Sequence, residues 1–181
     1  MVEHEKLNYG IIVEEDKIFN ILLNNGNYIT EEWFDKYKID DNTSRCIIGY
    51  KKNNEELSNS DYESFIYKYG GIYNGILNVK PIYDYLLFNQ EDTYTAYIGD
   101  KAGYIDSKLG LEITPIIFDY AGQFTDGKAY VELCGKKEYI TRNQFKLATS
   151  QGIIYRFNNY DWINYINKQK ILKKEDWGIY E

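Results

Sequence analysis

The sequence predicts a β-rich protein of stacked antiparallel β-meanders, with short helices in the segments that flank them. Three observations support this fold class: a run of Pro, aromatic, Asp and Tyr occurs twice, apolar and polar residues alternate between the two runs, and turn signals containing Gly separate the alternating segments. Tyrosine is abundant, with 20 residues in a chain of 181. Its ring suits a half-buried pleated surface because the hydroxyl can stay in water.

The recurring run reads KPIYDYLLF in one place and TPIIFDYAGQF in the other. When the two are aligned on Asp84 and Asp119, Pro81 and Pro115 both lie shortly before the aromatic residue. About ten to twelve residues after each Asp, the chain continues with Ala, Tyr and an aliphatic residue, then a polar turn and a second short strand. The predicted unit is strand, tight turn, strand, a turn with Gly, and an apolar strand that runs into Pro.

These runs resemble the units of the WG-repeat family, also called KWG repeats, over about residues 69–141. The signature Trp is missing from both units, and a true Trp-Gly pair occurs near residue 177. The resemblance implies a fold of stacked meanders, and it implies no particular activity because the family is largely uncharacterised in that respect. The structural positions that it assigns are Pro81, Tyr83, Asp84, Gly103, Pro115, Phe118, Asp119, Trp177 and Gly178.

The domain organisation follows from the extent of the resemblance. Residues 1–181 are expected to form one domain, in which 69–141 are the WG-like meanders, 1–60 an N-terminal cap and 142–181 a C-terminal cap. The resemblance is absent between about 30 and 60. Helices are expected after the N-cap residues Thr30 and Asn159, and a hairpin is expected near the end of the chain, around residues 174–175.

Local signals assign roles to individual turn residues. Asn74-Gly75 predicts a type I′ hairpin turn, because both central residues of that turn need positive φ. Each Pro is expected at a strand end or edge, since it cannot donate to a ladder. Asp84 and Asp119 are expected to accept backbone N–H bonds in the following turn, as in Asx-turns. They could instead be acid/base residues, but their shared position in the unit favours the architectural role.

The net charge of the chain indicates which classes of macromolecule it is expected to bind. The chain carries −7 at pH 7, which is unfavourable for nucleic-acid binding because that binding depends on neutralising phosphates. An acidic surface suits a basic protein partner, although solubility alone also explains it. No apolar run is long enough for a membrane span, and the N-terminus has no apolar core of a signal peptide. The chain is therefore expected to be cytoplasmic and not to bind a membrane.

Residues with catalytic or metal-binding chemistry are scarce. The single histidine, His4, lies close to the N-terminus, which argues against a Ser-His or Cys-His site, and one histidine cannot form a multi-histidine metal site; no nucleotide-binding or hydrolase motif occurs. Cys46 and Cys134 lie far apart in apolar strand-like runs and are expected to be buried thiols. The sequence therefore predicts no metal site, no cofactor and no enzymatic activity.

Tyrosines offer the candidate binding surface. Six of them fall on what the alternation predicts to be the outward face of the meanders, and exposed aromatic residues beside acids are common anchors of protein interfaces. Alternatively, they pack against the next meander or a cap. The six are Tyr94, Tyr97, Tyr104, Tyr120, Tyr130 and Tyr139.

The expected function is a non-catalytic protein–protein interaction module of the WG-repeat type. In a sharper form, it is a small acidic inhibitor or immunity protein that neutralises a basic toxin. One alternative is a ligand-binding protein or enzyme with a pocket of Tyr, Asp and Glu between meanders. Another is a structural unit of a longer array. The sequence predicts neither the oligomeric state nor the partner's identity.

Overall fold

The computed structural model describes residues 1–52 and 66–142, and every regular element there is a β-strand, which confirms the β-rich fold class. None of the described residues belongs to a helix of the length and apolarity that a membrane span requires. The chain divides into two compact units, one of residues 1–88 with 107–111, the other of residues 89–106 with 112 onward. The predicted helix at Asn159, the terminal hairpin and Trp177-Gly178 lie outside the described residues.

Unit 1 contains two antiparallel sheets of meander topology. The first has the order β1-β2-β3 and the second the order β4-β5-β6-β7. One further strand, β8, follows them in this unit. The strands are β1 (Val2–Leu7), β2 (Gly10–Glu15), β3 (Ile18–Leu23), β4 (Lys36–Ile39), β5 (Arg45–Lys51), β6 (Tyr67–Tyr73), β7 (Ile76–Tyr83) and β8 (Tyr85–Phe88).

Unit 2 has an antiparallel pair, β9–β10, and a meander of order β11-β12-β13. Its core is a cluster of buried apolar side chains from both sets of strands, including Tyr104, Phe118, Phe124 and Val131. The strands are β9 (Thr93–Ile98), β10 (Lys101–Asp106), β11 (Tyr120–Ala121), β12 (Lys128–Leu133) and β13 (Lys136–Thr141).

One local geometry occurs three times in the described chain. In each case the chain leaves a strand, returns antiparallel to it and ends in an aromatic residue followed by Asp. We call this stretch the return segment. Its aromatic residue is buried in each case and lies opposite a residue of the strand. The three opposed pairs are Phe19 with Phe34, Tyr69 with Tyr83, and Ala102 with Phe118.

Residues 18–35 thus contain a return segment within the stretch that the sequence analysis assigned to a cap. The helix predicted from Thr30 is wrong, because Thr30 does not cap backbone N–H groups. Its hydroxyl instead donates to the Glu32 carbonyl oxygen at 2.7 Å, and Ile29 N–H donates to the Ile21 carbonyl oxygen at 2.9 Å. Pairing with β3 therefore takes the backbone groups that a helix would need.

The turn and proline predictions agree with the structure in unit 1. Asn74 and Gly75 both have positive φ, 49° and 76°, as a type I′ turn requires. Pro81 lies on β7, at the edge of its sheet. In unit 2, Pro115 lies outside the strands, and its carbonyl oxygen faces Gly103. A Cβ on Gly103 would be 2.4 Å from that oxygen.

Candidate functional site

Three tyrosines form a continuous aromatic row on one face of the sheet β11-β12-β13, and we call this row the tyrosine face. The ring centroids of Tyr120 and Tyr130 are 6.1 Å apart, and those of Tyr130 and Tyr139 are 5.4 Å apart. Both contacts are edge-to-face, a favourable arrangement for aromatic quadrupoles. Tyr139 is 65% exposed and Tyr120 is 54% exposed, while Tyr130 is half-buried.

Strand alternation explains why this face is aromatic and its reverse aliphatic. On β12, Ala129, Val131 and Leu133 are buried in the core of unit 2, so Tyr130 points to the opposite face. Tyr130 lies directly opposite Tyr139 in the antiparallel register. Cross-strand aromatic pairs of this kind stabilise a sheet by about 0.2–1 kcal/mol.

A glycine shapes one end of the tyrosine face. Gly122 donates its N–H to the Tyr130 carbonyl oxygen at 2.8 Å, and a Cβ built on it would lie 3.6 Å from a ring carbon of Tyr120. A side chain at this position would therefore contact the Tyr120 ring without a clash. Beside it is a shallow pocket of about 590 Å³, lined by Gly122, Gln123, Thr125, Asp126, Lys128, Tyr130 and Tyr139.

Charged residues of both signs lie on the strands that carry the tyrosine face, namely Lys128, Lys136 and Lys137 with Glu132 and Glu138. Residues 89–106 and 112–142 carry nine Asp and Glu against five Lys and Arg. Glu132 and Lys137, on neighbouring strands, approach to 3.9 Å, and an exposed pair of this kind contributes little to stability.

The other three predicted tyrosines do not belong to this surface. Tyr94 and Tyr104 are fully buried, so the prediction that they face outward is wrong. Tyr97 is half-buried and packs against the core of unit 2. The alternation failed here because β9 and β10 are buried on both faces. The Tyr104 hydroxyl donates to the Gly122 carbonyl oxygen at 2.5 Å, and burial raises the pKa of Tyr104, which keeps it neutral.

Asp119 ties a strand start to a distant turn rather than forming a local Asx-turn. It accepts the backbone N–H of Cys134 at 2.5 Å and an ion pair from Lys101. Burial opposes ionisation of Asp119, but these two bonds outweigh it and hold its pKa below the usual range. Asp35 accepts the N–H of Lys51 in the same way, at 2.7 Å.

Asp84 has a more buried environment than Asp119. Its carboxylate accepts ion pairs from Lys68 at 2.7 Å and from Lys52 at 3.0 Å, with only 11% of the Asp84 side chain exposed. Both lysines bind the same oxygen of this carboxylate, Oδ1, and so fix it in place. These contacts support the architectural role that the sequence favoured for Asp84 and Asp119.

The two cysteines differ in environment. Cys46 is buried as predicted, and burial raises the pKa of its thiol to about 12. Cys134 is exposed, which contradicts the prediction, because it occupies a tight β12–β13 turn with φ of 49°. Neither cysteine forms a disulfide.

A second pocket, of about 340 Å³, lies in unit 1 beside the loop 39–44. Its Asp40 is bound to Arg45 at 2.5 Å. Burial opposes ionisation of Asp40, but the bonds from Arg45 and Thr43 keep its pKa below the usual range.

Across residues 1–52 and 66–142, no group of three or more His, Cys, Asp or Glu side chains is arranged to hold a metal ion.

Comparison with known proteins identifies no relative of this chain. No protein-family model matches the chain. No curated protein and no solved structure shows significant similarity to it. The recurring return segments are therefore recognised by comparing the chain with itself.

Proposed function

We propose that the protein is a non-catalytic protein–protein interaction module that binds a basic protein partner through the tyrosine face. The observation that carries this proposal is the row of three tyrosines, of which two are more than half exposed. Tyrosine is enriched at interfaces because its ring supplies contact area while its hydroxyl tolerates water. The chain's net charge of −7 would speed encounter with a positively charged surface.

Kinship with the WG-repeat family is part of the proposal. Two stretches carry a Lys, an intervening residue and then Gly, at Lys68 and at Lys101. In both, the lysine forms an ion pair with the Asp that follows the return segment, Lys68 with Asp84 and Lys101 with Asp119. The same three-residue signature thus has the same structural partner twice, which is the behaviour expected of a degenerate repeat.

The sharper form of the proposal is a cytoplasmic immunity protein that covers a basic toxin. Small size, acidity and an aromatic face suit such an inhibitor. The test is to co-express the full chain with the product of the reading frame immediately upstream and to purify the complex. We expect a stable complex whose affinity falls from low to high salt, because the encounter is electrostatic.

Tyr139→Ala should weaken that complex at least tenfold, since exposed aromatic anchors dominate interface energetics. Tyr28→Ala is the matched control, because Tyr28 is also exposed, at 43%, but lies in unit 1. Absence of a complex, or a complex indifferent to salt and to both variants, would contradict the proposal.

A ligand-binding protein is the second candidate, and the pocket beside Tyr130 and Tyr139 favours it. Gln123, Asp126 and Lys128 line that pocket with hydrogen-bonding groups next to two aromatic rings, a combination found in small-molecule sites. A screen of metabolites by thermal denaturation distinguishes this candidate, because a specific ligand raises the melting temperature. Tyr139→Ala should abolish the rise if the ligand occupies this pocket.

A further inference from the structure

The sequence contains two Asn-Gly pairs, Asn25-Gly26 and Asn74-Gly75. Asparagine followed by glycine can lose its side-chain amide without an enzyme, because glycine has no side chain to hinder its backbone nitrogen. That nitrogen attacks the asparagine Cγ and loses its proton, ammonia leaves, and a five-membered succinimide ring remains. Water then opens the ring at either carbonyl and yields aspartate or isoaspartate. In a folded protein, the rate depends on whether the two residues can rotate into the geometry of the ring.

Asn25 and Gly26 form the tip of the loop between β3 and the return segment that ends at Phe34. Residues 24–27 are all exposed. A Cβ built on Gly26 would meet no atom of the described chain within 4 Å, apart from its chain neighbours. Packing therefore does not oppose rotation at this tip.

A hydrogen bond also orients the Asn25 side chain. Its Oδ1 accepts the backbone N–H of Asn27 at 3.0 Å, which is an Asx-turn. The carboxamide group is therefore folded toward the peptide bond between Asn25 and Gly26. A bond from Gly26 N–H to the Leu23 carbonyl oxygen, at 2.9 Å, opposes the reaction because that N–H must lose its proton. This bond lies in an exposed turn, where water can replace it.

The second pair has the same sequence signal but a different environment. Asn74 donates its N–H to the Ser44 carbonyl oxygen at 3.0 Å. A Cβ on Gly75 would lie 3.2 Å from a ring carbon of Tyr9 and 3.3 Å from a methyl carbon of Leu23. This pair is therefore packed against the β1–β2 turn and the end of β3.

Strand pairing holds the second pair as well. Asn74 and Gly75 are the two central residues of the tight turn that joins β6 to β7, and Tyr73 pairs with Ile76 directly beside them. Both residues have the positive φ of a type I′ turn. Rotation of Asn74 into the ring geometry therefore requires the hairpin to open first.

We propose that Asn25 is a site of spontaneous deamidation in the folded protein and that Asn74 is protected. Each event replaces a neutral amide by a carboxylate, which adds one negative charge to the net charge of −7. Isoaspartate also places Cβ in the main chain, and it lengthens the loop that a bond from Leu23 N–H to the Asn27 carbonyl oxygen closes at 2.8 Å. The protein therefore accumulates a more acidic form that is altered at this loop. This inference is independent of the proposed function.

Peptide mapping of the full-length chain tests the proposal. The chain is kept in warm, mildly alkaline buffer, and samples taken over time are digested with trypsin, which separates the two Asn-Gly pairs because lysines lie between them. Mass spectrometry measures the fraction of each asparagine that is converted, and fragmentation assigns the position within the peptide. We expect Asn25 to be converted at least about fivefold faster than Asn74.

Two controls separate the effect of the fold from that of the sequence. In concentrated urea, where the chain is unfolded, the two asparagines should be converted at rates equal within about twofold, because both precede glycine. Asn25→Gln should remove the more acidic form from ion-exchange chromatography and leave the conversion of Asn74 unchanged, because glutamine forms the corresponding six-membered ring much more slowly.

Conversion of Asn74 as fast as Asn25 in the folded chain would overturn the proposal. A rate at Asn25 more than about tenfold below its rate in urea would also overturn it, because the loop would then protect this site as the hairpin protects Asn74.

Discussion

Replacing Gly103 by alanine should destabilise the protein through a clash between two backbone segments. Gly103 lies on β10 beside the return segment that ends at Phe118. A Cβ at this position would lie 2.4 Å from the Pro115 carbonyl oxygen and 2.9 Å from Ile116 Cα. Real Cβ atoms essentially never approach closer than 3.0 Å, so the return segment must retreat by about 0.6 Å. Backbone atoms cannot rotate away as a flexible side chain could.

The expected magnitude follows from this overlap. Overpacking a closed site costs about 1–3 kcal/mol of folding free energy. Gly103→Ala should lie near the upper end of this range, because the added Cβ meets backbone atoms of both Pro115 and Ile116. Alanine also lowers the conformational entropy of the unfolded chain, and this effect alone raises the free energy of unfolding by about 0.4–1 kcal/mol. The net loss in free energy of unfolding should be about 2 kcal/mol. For a chain of this length, that lowers the melting temperature by about 4–8 °C.

Thermal unfolding followed by circular dichroism measures this shift. Gly122→Ala is the control, because a Cβ there meets nothing closer than 3.2 Å and the next atoms are on a side chain. We expect Gly122→Ala to change the free energy of unfolding by less than about 1 kcal/mol. Equal melting temperatures for Gly103→Ala and wild type, or a larger loss for Gly122→Ala, would refute the reasoning.

Three further substitutions test individual contacts by thermal or urea unfolding. Asp119→Ala should lose about 1 kcal/mol or more, because the Cys134 N–H loses its acceptor. The pKa of Asp119 is lowered in the folded protein, so this loss should be full above pH of about 4 and decrease as the pH falls through the lowered pKa; a loss that stays constant into acid would contradict it. Tyr104→Phe should cost about 1 kcal/mol by removing the hydroxyl that serves the Gly122 carbonyl oxygen, and no change in urea midpoint would contradict that bond. Cys134→Asn should raise stability by a few tenths to 1 kcal/mol, because Asn adopts the observed φ of 49° more readily, and a decrease would argue against strain in this turn.

The sequence predicted the β-rich class correctly but missed one return segment. Residues 29–37 read ITEEWFDKY and residues 113–121 read ITPIIFDYA, which share Ile, Thr, Phe and Asp without a gap. Thr30 followed by two glutamates also resembles a helix start, and this local signal is the reason why the sequence predicts a helix there. A comparison of the chain with itself, anchored on Phe-Asp, would have found the strand pairing that decides the structure.

The candidate site could be predicted only in part, because alternation does not reveal what covers a strand. Tyr104 on β10 and Tyr139 on β13 were both predicted to face outward. The following meander covers Tyr104, whereas Tyr139 is exposed. The difference depends on the layer that follows each strand, so no pattern within the strand could separate the two residues.

The hydrogen bonds that Asp35 and Asp119 accept from backbone N–H groups also have a consequence for the rate of folding. Asp35 reaches Lys51 and Asp119 reaches Cys134, so each contact joins residues about 15 apart in sequence. Closing such short loops costs little chain entropy, and proteins dominated by near-neighbour contacts acquire their structure quickly. A chain with such contacts should reach its native state faster than sandwiches of similar size, whose strands pair across most of the polypeptide.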